Sequence, residues 1–277
     1  MSALGIGFKR MVLGLPHGPG HKTEVDVAAD LAEFLNIELL AAFVADETLP
    51  ALAEISGARE LRALEQGWRA IDRAQITRDI DQAVGVARRR FAEGARSRGI
   101  KTGFNVIGGT QAIASLVRAD DIVAIIEPAH PGERITYQFT ALLEAAFAVA
   151  GAVLLVPRRV VRTAGPIVTV ASTFEDPCIR AALEIAAAFK ERLIVVTATG
   201  TRPPIKVLAD AERLGVQIEY IAGTEPLADV SSLAALGRMQ ERLRVLSCGA
   251  LTANAAQLFS SLRGVPLLVI EPSRAEA

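Results

Sequence analysis

The sequence predicts an α/β protein made of two copies of one strand–helix unit. Three observations predict it. Short apolar runs alternate along the whole chain with longer amphipathic stretches, as parallel strands and their covering helices do. The order of these segments restarts after residue 165. Hydrophobic residues make up 51% of the chain but aromatic residues only 5%, so Ala, Val, Leu and Ile must build the core. Small and β-branched side chains of that kind suit strands buried on both faces.

Taken in order, Met-Val-Leu-Gly-Leu at 11–15 reads as a buried strand, and the Gly, Pro and His of 16–21 as a loop. Residues 23–35 read as a helix. Val25, Ala28, Ala29, Ala32 and Leu35 share one face, and Thr23 stands at the expected N-cap. Residues 37–44 read as a second strand. Residues 46–66 form an insertion with helical fragments and no clear strand. From 65 to 98 the pattern is one long helix, stopped by Gly99 as a C-cap glycine, with Arg88, Arg89 and Arg90 on its solvated face.

A strand at 101–107, a short helix at 111–118, a strand at 121–126, a loop at 127–134, a helix at 136–150 and a strand at 152–156 complete the first copy. The second repeats the order: strands at 166–170, 192–197, 217–221, 244–248 and 265–270 with helices at 177–189, 205–214, 226–239 and 251–262. Asp176 before Pro177 reads as an N-cap followed by Pro at the first helical position. Gly99-Ile100 answers to Gly215-Val216, and Ala150 to Pro157 answers to Gly264 to Ile270. The expected division is a first domain at 1–157, a basic linker at 158–165 and a second domain at 166–277. Strand and helix alternation implies two Rossmann-like units with parallel sheets and right-handed crossovers.

Composition also excludes. A net charge of −1 offers no field for nucleic acid or anionic lipid. Residues 141–156 are apolar but interrupted by Glu144 and Gly151, which fits a helix and a buried strand rather than a membrane span. Cys178 and Cys248 have no metal spacing, and no signal peptide is visible, so a cytoplasmic setting is expected. Cys178 near a helix N-terminus would have a lowered pKa, but its half holds no histidine to make a dyad.

The ordered segments resemble the universal stress protein family. The likeness rests on 11–35, on 37–44, and on Gly-Ile-x-x-x-Phe-x-Val-x-x-Gly from Gly99 to Gly109. It rests also on Ala119 to Ile126, where the family writes a strand opening with Asp, and on Ala150 to Pro157. The resemblance implies units of the adenine nucleotide alpha hydrolase-like kind, each a five-stranded parallel sheet of order 3-2-1-4-5. It implies packing through the last strand, which two fused units satisfy as an intramolecular pseudo-dimer, and it leaves a homodimer open. ATP-binding members carry Asp at the end of the first strand and Gly-x-x-Gly-x9-Gly-Ser/Thr after the fourth. Here Pro16 and Ala171 stand at the Asp position, and Glu127-Pro128-Ala129-His130 stands where Gly-x-x-Gly belongs. Phe139-Thr140 and Ala253-Asn254 stand at the Gly-Ser position. Without those glycines the backbone N–H groups cannot approach a phosphate, so the ATP site is expected to be lost or remodelled.

His17 and His21 follow the first strand and His130 the fourth. In the implied order these strands are neighbours, and ligands of open α/β sheets bind at that switch point. The expected ligand-binding set is His17, Gly18, Gly20, His21, Gly108, Gly109, Glu127, His130 and Thr140, with no catalytic or metal residue assigned. Adenine nucleotide is the candidate ligand that the resemblance suggests. The function expected is a non-catalytic small-molecule-binding or regulatory protein of stress-response type. Two alternatives stay open: a hydrolase or metal-dependent enzyme using the three histidines, and a ligand-free structural adaptor.

Overall fold

The computed structural model of the chain describes residues 7–15, 22–45, 48–61, 67–96, 98–109, 111–128, 137–171, 173–197, 203–222, 239–247 and 252–270. Its first half runs β1 (Arg10–Leu15), α1 (Lys22–Leu35), β2 (Glu38–Ala45), α2 (Thr48–Leu52), β3 (Arg59–Leu61), β4 (Trp68–Ala70) and α3 (Arg73–Ala95). It continues with β5 (Thr102–Gly108), α4 (Gln111–Leu116), β6 (Asp121–Ile126), α5 (Tyr137–Val149) and β7 (Ala152–Val156). The second half runs β8 (Ile167–Ala171), α6 (Pro177–Phe189), β9 (Leu193–Thr197), α7 (Ile205–Leu214), β10 (Ile218–Ala222), β11 (Leu243–Ser247), α8 (Ala253–Arg263) and β12 (Leu267–Ile270).

Ten strands form one sheet in the order β10-β9-β8-β11-β12-β7-β6-β1-β2-β5. Counted within each half, both sets of five lie in the order 3-2-1-4-5. Within this sheet every pairing inside a half is parallel, and the halves join through one antiparallel pair, β12 with β7, in the register Leu268 to Leu154. The chain direction reverses there because each half presents its last strand as an edge, and two edges satisfy each other's backbone groups. Parallel strands covered on both faces read as continuous apolar runs, and β6, β7, β8, β9, β11 and β12 are buried along their whole length.

Helices cover both faces. On one side α1, α3, α6 and α7 pack on Met11, Leu13, Leu39, Leu154, Leu193, Val245 and Leu268. On the other, α4, α5 and α8 pack on Val12, Val123, Val153, Val168 and Val269. Val25, Ala28, Ala29, Ala32 and Leu35 are buried, as the helical spacing predicts. The cap at Asp176 forms as expected, its carboxylate accepting from the Cys178 N–H at 3.1 Å, with Pro177 opening α6.

The connection between the halves is pinned. The Val161 N–H donates to the Gly264 carbonyl at 2.9 Å, and the Gly165 N–H to Glu191 at 3.0 Å. Gly264 has φ +60°, the left-handed cap conformation that ends α8, and a Cβ there would press on the Arg159 carbonyl at 2.8 Å.

Four sequence expectations change. The 46–66 insertion contains a short helix and then strand β3, whose partner β4 lies beyond it; three-residue strands are too short to show a period-2 pattern. The long helix starts at Arg73, not 65, because the Asp72 carboxylate accepts the Ala74 N–H at 2.9 Å and caps it there. That helix ends at Ala95, and its cap residue Arg96 stays right-handed, so Gly99 is not the cap. Thr23 lies inside α1, which begins at Lys22. The helix expected at 226–239 falls almost wholly outside the described residues.

Candidate functional site

The C-terminal ends of β1, β2, β5 and β6 line one edge of the first half. Gly14 pairs with Ile125, Leu15 with Phe43, and Ala45 with Gly108. The switch point thus lies between the ends of β1 and β6, as the strand order requires. α1 follows β1 in the chain, and a helix N-terminus favours an anion.

The sequence-predicted residues divide there. His17, Gly18, Gly20, His21 and His130 lie outside the described residues. Gly108 ends β5, and Gly109 makes the turn with φ +72°, which explains why glycine stands there. Its N–H donates to the Ala45 carbonyl at 3.1 Å, so that donor serves the turn and not a ligand. Thr140 is half-buried on α5, next to the buried Phe139. Glu127 follows β6 directly and is buried. One of its carboxylate oxygens accepts the Arg158 N–H at 2.9 Å, and the other accepts the Ser261 hydroxyl of α8. Glu127 therefore ties the end of β6 to the second half of the molecule. Among the described residues, no group of three or more His, Cys, Asp or Glu side chains is arranged to hold a metal.

Cys178 differs from expectation. Burial pushes its thiol well above the ordinary range, and the nearby Asp176 carboxylate adds to the effect. Its sulfur accepts from the Thr169 hydroxyl at 3.3 Å and donates to the Val170 carbonyl at 3.6 Å. A buried, fully bonded thiol of this kind is inert.

A second concavity was not foreseen in the sequence. It lies at the seam of the halves, lined by Asp30, Leu31, Arg162, Thr163, Phe189 and Arg242. It holds about 30 Å³, the share of a single water, far below the roughly 300 Å³ of a small-molecule site. The Arg242 guanidinium stacks 3.8 Å from the Phe189 ring and lies 3.9 Å from Glu191. Burial lowers its pKa, while Glu191 and Asp30 oppose that shift. Asp30 in turn bonds Arg98 at 2.6 Å, so alternating charges cross the seam. No local sequence signal marks this cleft, since its residues come from six separate segments.

In three dimensions the chain is similar to a universal stress protein from Archaeoglobus fulgidus. The TM-score is 0.59 at 15% identity, over 94% of this chain and 96% of that one. It is also similar to a functionally unknown protein from Pseudomonas aeruginosa, with a TM-score of 0.53 at 15% identity, over 98% and 95% of the two chains. At such identities the likeness shows the fold alone. No family model and no curated protein matches the sequence.

Proposed function

We propose that the chain is a divergent tandem protein of the universal stress type, with units at 1–157 and 166–277 joined by 158–165. In this reading it binds a small molecule or serves as a regulatory module, without catalysis, and its ATP cradle is lost or remodelled. The ligand edge is the C-terminal rim of the first unit, drawing on His17, Gly18, Gly20, His21, Gly108, Gly109, His130 and Thr140. The second unit completes an intramolecular pseudo-dimer. A cytoplasmic location and a part in stress response belong to the same proposal. No described helix is long and apolar enough to cross a membrane.

One observation carries the loss of the cradle. Where a glycine loop would present N–H groups to a phosphate, Glu127 holds a carboxylate fixed by the Arg158 N–H and Ser261. A glutamate in that place lacks the freedom by which a glycine lets backbone N–H groups approach a phosphate.

Thermal unfolding with ATP, ADP, AMP and adenosine tests this. A ligand at 100 times its dissociation constant adds about 2.7 kcal/mol, or roughly 5–10 °C in Tm for a chain of this size. The expected result is no such shift with millimolar ATP and no phosphate release above background. An ATP shift of that size overturns the lost cradle, and turnover overturns the non-catalytic reading.

A further inference from the structure

The ten-stranded sheet ends on β10 at one side and on β5 at the other. Along β5 the ladder to β2 uses alternate residues. The Leu39 N–H donates to the Lys101 carbonyl at 2.9 Å, and the Gly109 N–H to the Ala45 carbonyl at 3.1 Å. Leu39 stands opposite Thr102, and Ala45 opposite Gly108. The odd-numbered residues of β5 therefore serve β2, and the N–H and C=O groups of Thr102, Phe104, Val106 and Gly108 point out of the sheet. Among the described residues, no hydrogen bond reaches those groups. Thr102, Asn105, Val106 and Gly108 are exposed, Val106 by 47%.

An edge of this kind is normally blunted by charge, proline, a bulge or a short strand. β10 is blunted: it is five residues long and carries Glu219, which pairs with Arg192 at 3.0 Å. β5 has none of these devices. Its seven residues, Thr-Gly-Phe-Asn-Val-Ile-Gly, hold no charge and no proline, and its register with β2 is unbroken.

We propose that β5 pairs antiparallel with β5 of a second copy, about a two-fold axis at Asn105, so that two ten-stranded sheets join edge to edge. The edge itself selects this occupant. A row of backbone donors and acceptors is satisfied by an extended strand, and β5 is its own complement. With Asn105 on the axis, Thr102 meets Gly108 and Phe104 meets Val106, and each such pair exchanges two backbone bonds. Every outward group of both strands is then used, in about eight bonds. Side chains agree with that register. Phe104 lies against Val106, an aromatic and β-branched pair that covers the exposed valine. Asn105 meets Asn105, and an amide is donor and acceptor at once. The two halves of the chain already join by an antiparallel pair of edges, β12 with β7.

Charge permits the pairing. Lys101, held by Glu38 at 3.3 Å, lies at one end of the edge, and an antiparallel arrangement sends its two copies to opposite ends. Arg88 lies 4.9 Å from the Phe104 ring, so its two copies are the like charges brought nearest. Both are exposed, where water and salt screen them. A two-fold closes the assembly at two copies, whereas β5 on β10 would run on into a fibre.

Mass by light scattering from submicromolar to high micromolar protein tests this. The expected result is a rise from the 29.3 kDa monomer toward twice that mass. Val106→Pro removes an N–H that points outward and no bond to β2, so it should fold with unchanged far-ultraviolet circular dichroism and stay monomeric. Asn105→Lys and Asn105→Asp each set like charges across the axis and should be monomeric alone. Mixed in equal amounts they should regain the dimer. A wild-type monomer at every concentration overturns the proposal, as does a dimer that survives Val106→Pro or either charge at position 105. Two monomeric charge variants that stay apart on mixing overturn the axis at Asn105. The charge variants decide the matter if Val106→Pro fails to fold.

Discussion

The two halves of the sheet each carry a buried ion pair at the foot of the strand beside their first strand, and they finish it differently. At β6, Asp121 is 1% exposed and accepts from Arg10 at 3.1 and 2.5 Å and from the Arg118 N–H at 2.8 Å. Arg10 also donates to the Leu116 carbonyl at 2.8 Å. The hydrogen bond to Asp121 raises the Arg10 pKa further, against the opposing effect of burial. At β11, Glu241 and Arg244 are both 1% exposed and share a single hydrogen bond. Arg244 Nε and Nη1 and Glu241 Oε2 find no partner, and the guanidinium lies 4.4 Å over the Phe259 ring. Burial lowers the Arg244 pKa despite Glu241. The same fold thus tolerates a satisfied network in one half and a desolvated, under-bonded pair in the other. Buried charge is expensive by default, and only complete hydrogen bonding offsets it.

The largest expected effect comes from removing one partner. Glu241→Ala leaves the Arg244 charge buried over Phe259 and beside the like charge of Arg263, and should cost about 3–5 kcal/mol in urea unfolding. Asp121→Ala should cost less, about 2–3 kcal/mol, because Arg10 keeps the Leu116 carbonyl and some contact with water. Equal losses would erase the contrast.

Replacing both partners sharpens it. Arg244→Met with Glu241→Leu should be neutral or stabilising by about 1–4 kcal/mol, since that pair returns little for its desolvation. Arg10→Met with Asp121→Leu should instead lose about 1–3 kcal/mol, because it strands the Arg118 N–H that Asp121 now satisfies. Opposite signs in the two halves are the expected signature. A loss in both would mean that the Arg244–Glu241 pair is stabilising as it stands.

The sequence makes the sheet legible because strands buried on both faces leave continuous apolar runs, and nearly all element bounds fall within two residues of the expected ones. The β3–β4 ribbon was invisible for the opposite reason: its strands are short and its apolar face is outward, so no alternation marks it. At the candidate site, the meeting of β1 and β6 followed from the strand order. The bond from Ser261 to Glu127 did not, because it spans 134 residues and joins the two halves. The seam cleft is hidden in the same way. Local patterns report which face a residue takes, not which distant partner it meets.

The smallest effect concerns pH and again separates the halves. Among the described residues, the raised acid pKa values belong to the second half, at Cys178 and Tyr220, and burial is the leading cause of both. An unfolded thiol ionises near pH 8.5 and an unfolded phenol near 10. Below pH 8.5 both states keep the Cys178 proton, and its contribution to stability is fully present. Above that, the unfolded chain releases a proton the native state still holds, so stability falls by about 1.4 kcal/mol per pH unit until the native thiol ionises. Tyr220 adds a second decline above about pH 10. Cys178→Ala should therefore lower stability by a constant at neutral pH, through lost packing and the lost bond from Thr169, yet flatten the slope between about pH 8.5 and 10. Urea titrations of both proteins at intervals across that range measure the difference. Parallel curves would show that the buried thiol is not linked to folding, and would leave Tyr220 as the raised acid group of the second half.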